Sequence, residues 1–105
     1  MTDALVALST VGNADDARRI ARALVERRLA ACVNVVPGLT SVYSWKGAVE
    51  TDDEVLLVIK TRRARFEALR AALVELHPYE LPELIALPIE AGHPPYLEWL
   101  AAGTE

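Results

Sequence analysis

After Met1-Thr2-Asp3 the chain opens on an unbroken apolar run, Ala4 to Leu8, closed by Ser9-Thr10. A short run without polar alternation suits a central strand buried on both faces. Gly12-Asn13 breaks it, and the period then changes. Ala17, Ile20, Ala21, Leu24 and Val25 recur at helical spacing, with Arg18, Arg19, Arg22 and Glu26 opposite. This predicts an amphipathic helix with Asn13 as N-cap, Asp15 and Asp16 in its first turn, and Arg27-Arg28 at its end. Each charge suits the helix dipole there.

From Ala31 the pattern becomes extended, in two arms joined near Lys46-Gly47. Pro37-Gly38 interrupts the first arm and predicts a bulge or bend. The second arm starts near Glu50, and its Val55 to Ile59 stretch is continuously apolar, so central. Each arm would hold about 14 residues, against a usual strand of about 5–6. At roughly 3.3 Å per residue that is about 45 Å. A compact chain of this size has a diameter of only about 30–35 Å. The hairpin tip therefore needs a partner beyond its own domain, and a second copy of the chain is the simplest candidate.

Thr61 stands where it can cap a second helix, whose apolar stripe is Phe66, Leu69, Leu73 and Leu76. Pro78 forces His77 out of helical geometry and ends it. Glu83 to Ile89 reads as a fourth strand, with Pro88 marking a sheet edge. Beyond Gly92 and Pro94-Pro95, a short final helix carries Tyr96, Leu97, Trp99 and Leu100. The order βαββαβ plus a terminal helix is the α+β, ferredoxin-like plan, one domain over 1–105, with the two apolar runs as inner strands.

Composition narrows the function classes. The 105 residues are 52% hydrophobic, enough for a core without a disulfide or metal. The net charge is −4, and the absence of a basic stripe argues against a nucleic-acid or anionic-membrane surface. Cys32 is the single cysteine, so no intramolecular disulfide forms. No apolar run approaches the roughly 18 residues of a membrane span, and the N-terminus carries no secretory pattern. A soluble cytoplasmic protein is expected.

Missing patterns exclude further classes. There is no Gly-rich phosphate loop, Ser-His-Asp constellation, HExxH or Cys-x-x-Cys. The turn Thr10-Val11-Gly12-Asn13 lacks the arginine with which acylphosphatase-like proteins grip phosphate. The inner strands carry no aromatics for stacking RNA bases. Of the two histidines, His93 belongs to a solvated Gly-His-Pro-Pro turn. His77, with Tyr79 and Glu83 near it in sequence, has two readings: a metal ligand or proton carrier, or a half-buried histidine satisfied by a backbone carbonyl. Cys32 is either an inert buried thiol or a reactive one. Lys60, at a strand end, either snorkels over the core or meets an anion. Tyr43, Trp45, Tyr79, Tyr96 and Trp99 all have polar tips, which suits interface packing or a ligand stack, and a cleft between subunits would combine the two.

The ordered set Ala31-Cys32-Val33-Asn34, Pro37-Gly38, Ser41, Tyr43-x-Trp45-x-Gly47, Glu54, Ile59-Lys60-Thr61, His77-Pro78-Tyr79, Pro82-Glu83 and Tyr96-Leu97-x-Trp99 resembles the CutA-type divalent-cation tolerance proteins. The resemblance covers nearly the whole chain. It implies a tight homotrimer, similar in outline to nitrogen-regulatory PII proteins, with a cleft at each subunit boundary. It further implies tolerance to copper and other divalent metals, no established reaction, and, in a mammalian branch, membrane anchoring of acetylcholinesterase. Carried over by position, the cleft residues are Cys32, Trp45, Lys60, His77, Tyr79, Glu83 and Trp99; within that cleft the expectation is that His77 and Glu83 supply metal contacts, Lys60 offsets ligand charge, and Trp45 and Tyr79 line the walls. Some members place a cysteine at Ser9 and a second histidine at Leu76; this chain keeps only His77 of that set.

The expectation is thus a homotrimer with no catalytic residues and no required cofactor. It binds copper, another divalent cation or a small ligand between subunits, and its protein partner is unidentified. Two alternatives stay open: a PII-like signalling or scaffold trimer without a specific metal site, and an enzyme using His77 as acid or base.

Overall fold

Where the chain is apolar without interruption, strands form; where it repeats at helical spacing, helices do. The computed structural model describes residues 2–105. The elements run β1 (Ala4–Val11), α1 (Ala14–Glu26), β2 (Cys32–Trp45), β3 (Ala48–Arg62), α2 (Arg63–Leu76), β4 (Ile85–Pro88) and α3 (Pro94–Ala102). They make an α+β fold with one antiparallel sheet in the order β2-β3-β1-β4, so both apolar runs are inner strands.

Asn13 caps α1: its side-chain oxygen accepts the Asp16 N–H at 2.8 Å, satisfying a donor that the helix leaves unpaired. Arg28, at φ 58, turns the chain out of that helix. The second helix starts differently from the sequence expectation. Its N-cap is Arg62 without a side-chain cap bond. Thr61 is instead fully buried, and its hydroxyl donates to the Leu29 carbonyl at 2.6 Å. A strand residue facing the core cannot also turn its side chain to a helix end. The fourth strand is shorter than the predicted 83–89 span, pairing in register only from Ile85 to Pro88, with one further bond from the Ile89 N–H to the Ala4 carbonyl at 3.0 Å.

The long hairpin is present, with arms of 14 and 15 residues. Lys46 (φ 49) and Gly47 (φ 84) form its turn, the two left-handed residues a tight hairpin of this twist requires. The register slips between Val36 and Leu39, where Gly38 takes φ 81. With this hairpin the chain measures 44 × 25 × 23 Å along its principal axes.

Side chains alternate across the sheet. Ala7, Val11, Leu57 and Ile59 point to α1 and α2, packing with Ile20, Leu24, Leu69 and Leu73 in the core. On the other face α3 closes one end, where Arg62 Nε donates to Thr104 Oγ1 at 2.7 Å. Beyond that end this face stays open. Val6, Leu8, Leu56 and Val58 are half-buried, while Ile85 and Leu87 are 54% and 52% exposed.

Candidate functional site

The hairpin, the end of β1 and the loop after α2 enclose a half-open cavity of about 760 Å³. Its construction begins at His77, which Pro78 holds in extended geometry at the end of α2. The residue is 6% exposed. Its Nε2 lies 2.8 Å from the Thr10 carbonyl oxygen, and its Nδ1 accepts the Tyr79 N–H at 3.1 Å. A carbonyl only accepts and an amide N–H only donates, so the two partners fix the neutral Nε2–H tautomer. Both ring nitrogens are thereby engaged. A metal at either one would have to displace a backbone partner.

Tyr79 is the next link. Its ring lies 4.6 Å from that of His77, and its hydroxyl donates to Glu54 Oε2 at 2.6 Å. Glu54 is only 8% exposed, at the point where β3 enters the sheet proper. Burial, then the bond to Glu54 and its charge, hold the Tyr79 phenol protonated well above the ordinary tyrosine range. Gly12 makes room for this phenol: a Cβ there would lie 3.1 Å from the Tyr79 oxygen. Further along the hairpin, Tyr43 donates to Asp52, and chiefly through that bond its phenol is pushed up to about 12.

The cavity wall therefore combines Tyr43, Trp45 and Tyr79 with Asp52, Glu54, Glu80 and Glu83, and among the described residues no lysine or arginine lines it. The Trp45 ring already carries one cation: the Lys46 ammonium lies 5.4 Å from its centroid.

The residues expected in one cleft divide into three places within the chain. Trp45, Tyr79 and Glu83 share the cavity, and His77 braces it from behind without lining it. Cys32 and Lys60 face each other across β2 and β3, and Lys60 Nζ bonds the Asn34 side chain. Lys60 is level with Val6, about 13 Å from Thr10 along β1 at roughly 3.3 Å per residue. Trp99 lies on α3, 52% exposed and 5.5 Å from the Tyr96 ring. Among the described residues, no three His, Cys, Asp or Glu side chains converge closely enough to hold one metal ion.

Ser9 and Leu76 have structural surroundings. Leu76 packs against the core, and its carbonyl accepts from Arg19 at 2.9 Å. Ser9 is fully buried with an unpartnered hydroxyl. Asp52, Glu54 and Glu80 line the cavity without having been expected there from the sequence, and Gly12 leaves room for the Tyr79 phenol beside it. Glu54 is the last of three consecutive acids, Asp52-Asp53-Glu54, before the apolar run Val55 to Ile59, and nothing in that run of charge sets it apart.

Residues 5–103 match the family model described as CutA1 divalent ion tolerance protein. Over 99 residues the chain is 54% identical to the divalent-cation tolerance protein CutA of Thermus thermophilus, covering 94% of this chain and 96% of that one. It is 52% identical to protein CutA of Mus musculus over 94% of its own length, spanning 56% of the mouse protein. The solved structure of the Thermus thermophilus divalent cation tolerance protein superimposes with a TM-score of 0.95 at 52% identity, covering 97% of this chain and 99% of that chain.

Proposed function

This chain belongs to the CutA1 divalent ion tolerance family, and from that premise we propose that it acts as a homotrimer of ferredoxin-like protomers. The trimer binds divalent cations or a small ligand in clefts between subunits, as part of a response to metal ions, and catalyses no reaction. The observation that carries this reading is the open sheet face. The uninterrupted apolar runs of β1 and β3 suit burial on both faces, yet α1 and α2 cover one face only, leaving Leu8, Leu56, Val58, Ile85 and Leu87 to be covered by another copy. The hairpin, reaching along a 44 Å axis, supports the same assembly.

The donors of one protomer do not fit a copper site. Copper favours imidazole and sulfur, but both nitrogens of His77 are bonded, and Cys32 lies in a different part of the sheet. Cation binding is therefore assigned to Glu83 with donors from a neighbouring subunit, and His77 shapes the wall. The bonded state of His77 also favours the second reading, a PII-like signalling or scaffold trimer without a specific metal site. A cytoplasmic setting belongs to the same proposal; none of the described helices is long and apolar enough to cross a membrane.

Native mass spectrometry of chelator-stripped protein titrated with copper(II) tests both readings. A trimer saturating at about one copper per chain supports the cation site. A trimer collecting only a smear of adducts supports the scaffold reading. A monomer overturns the assembly.

A further inference from the structure

The C-terminal helix is fastened by groups that its own sequence does not supply. Of the nine residues of α3, only Leu100 is buried. The helix has no side-chain cap at its start, no acid in its first turn and no base in its last. An isolated helix shorter than about 12–15 residues is marginal in water, so α3 depends on what holds it against β1 and β3.

Two arginines hold it. Arg28 donates through Nη2 to the Ala102 carbonyl at 2.5 Å and through Nε to the Glu105 carbonyl at 3.3 Å. Arg62 donates through Nε to Thr104 Oγ1 at 2.7 Å and through Nη2 to the Thr104 carbonyl at 2.6 Å. The buried Thr104 hydroxyl in turn donates to the Leu100 carbonyl at 2.9 Å. Carbonyls at a helix end lack partners within the helix, and positive charge suits that end of its dipole.

Arg28 stands where glycine is the usual residue. It follows the C-cap of α1 and turns the chain at φ 58. The Leu29 and Ala30 N–H groups then close back onto the Leu24 carbonyl at 2.9 and 3.2 Å. Glycine makes that left-handed turn freely, whereas a residue with a side chain is strained there. What arginine adds is the reach of its guanidinium to the end of α3. Arg65, from α2, donates to the Arg27 and Arg28 carbonyls at 3.4 and 3.3 Å, which fixes the base of this contact to two helices.

We propose that α3 is a strap that opens as a unit of its own, with Arg28 as its latch. Ala4 lies on the same face of β1 as Val6 and Leu8 and is 2% exposed, so release of the strap extends the open sheet face toward the start of β1. Every bond of the latch lies within one chain, and none involves the hairpin cavity.

Hydrogen exchange read by mass spectrometry on the full chain tests this, with Arg28→Gly and Arg28→Lys beside the wild type. In the wild type, α3 amides are expected to exchange by local opening, faster than those of β1 and β3. Arg28→Gly removes the strain together with the latch, so the fold is kept. Its α3 amides should exchange at least about tenfold faster, with β1 and β3 at the wild-type rate. Arg28→Lys retains the charge and should recover part of the protection. Exchange of α3 only with global unfolding, an unchanged α3 rate in Arg28→Gly, or an equal loss of protection across all elements would each overturn the proposal. Light scattering on the same samples reports subunit number separately, so the strap and the trimeric assembly stand or fall apart.

Discussion

Tyr79 reaches across from the loop after α2 to hold Glu54 on the hairpin, hydroxyl to carboxylate at 2.6 Å. The contact joins segments 25 residues apart and fixes one wall of the cavity to the other. Its partner on the first segment is His77, whose Nδ1 accepts the Tyr79 backbone N–H. The geometry of the cavity thus depends on a relay from the Thr10 carbonyl through His77 and Tyr79 to Glu54.

Tyr79→Phe removes the donor and leaves a nearly buried carboxylate without it. The expected cost is about 1–3 kcal/mol, read by urea unfolding. A double-mutant cycle with Glu54→Leu, which removes the acceptor, should return a coupling of about 0.5–3 kcal/mol. Additive single effects would mean that the bond contributes nothing in solution.

Gly12→Ala is coupled to the same phenol. The added Cβ would lie 3.1 Å from the Tyr79 oxygen, so the ring must shift or the bond to Glu54 lengthen. Overpacking of this kind costs about 1–3 kcal/mol. In the Tyr79→Phe background the obstructing oxygen is gone, and the cost of Gly12→Ala should fall. An equal cost in both backgrounds would place the strain elsewhere.

Alkaline pH separates the second tyrosine. Tyr43 is raised from 10.0 to about 12, chiefly by its bond to Asp52. A raised folded value means that the neutral phenol is favoured in the native protein. The Tyr43 contribution is therefore whole below pH 10 and lost as pH rises through about 12. The difference in unfolding midpoint between wild type and Tyr43→Phe should shrink across that window. Ultraviolet titration should also lose one late-ionising tyrosine in the variant.

Much of this architecture is readable from the chain because several signals agree locally. Asn13 before Asp15 and Asp16 marks a helix start, Lys46-Gly47 a tight turn and Pro37-Gly38 a bulge, and each is found there. Thr61 shows where that reasoning stops. A threonine before a helix suits a cap, but β3 carries its side chain into the core, and strand direction overrides capping preference. The cavity was legible only in part. Trp45, Tyr79 and Glu83 stand out as residue types, whereas Asp52 and Glu80 look like ordinary surface acids until the hairpin folds back beside the loop after α2. Their role comes from long-range contact, which a single sequence does not print.

The open sheet face gives the most decisive test of assembly. Ile85 is on the edge strand β4, opposite Leu8, and is 54% exposed in the protomer. For a monomer, Ile85→Glu is a surface change worth about 0.5 kcal/mol or less. For an assembly that buries this face, the same change carries a carboxylate into an apolar contact, at a cost of several kcal/mol unless it is paired. Size-exclusion chromatography with light scattering should therefore show the wild type as a trimer and the variant as smaller species at micromolar concentration. Circular dichroism should show the variant folded if the protomer stands alone, or unfolded if folding and assembly are one process. A variant that remains a trimer with wild-type stability would mean that another surface joins the subunits, and that the apolar face of β1, β3 and β4 is open in solution.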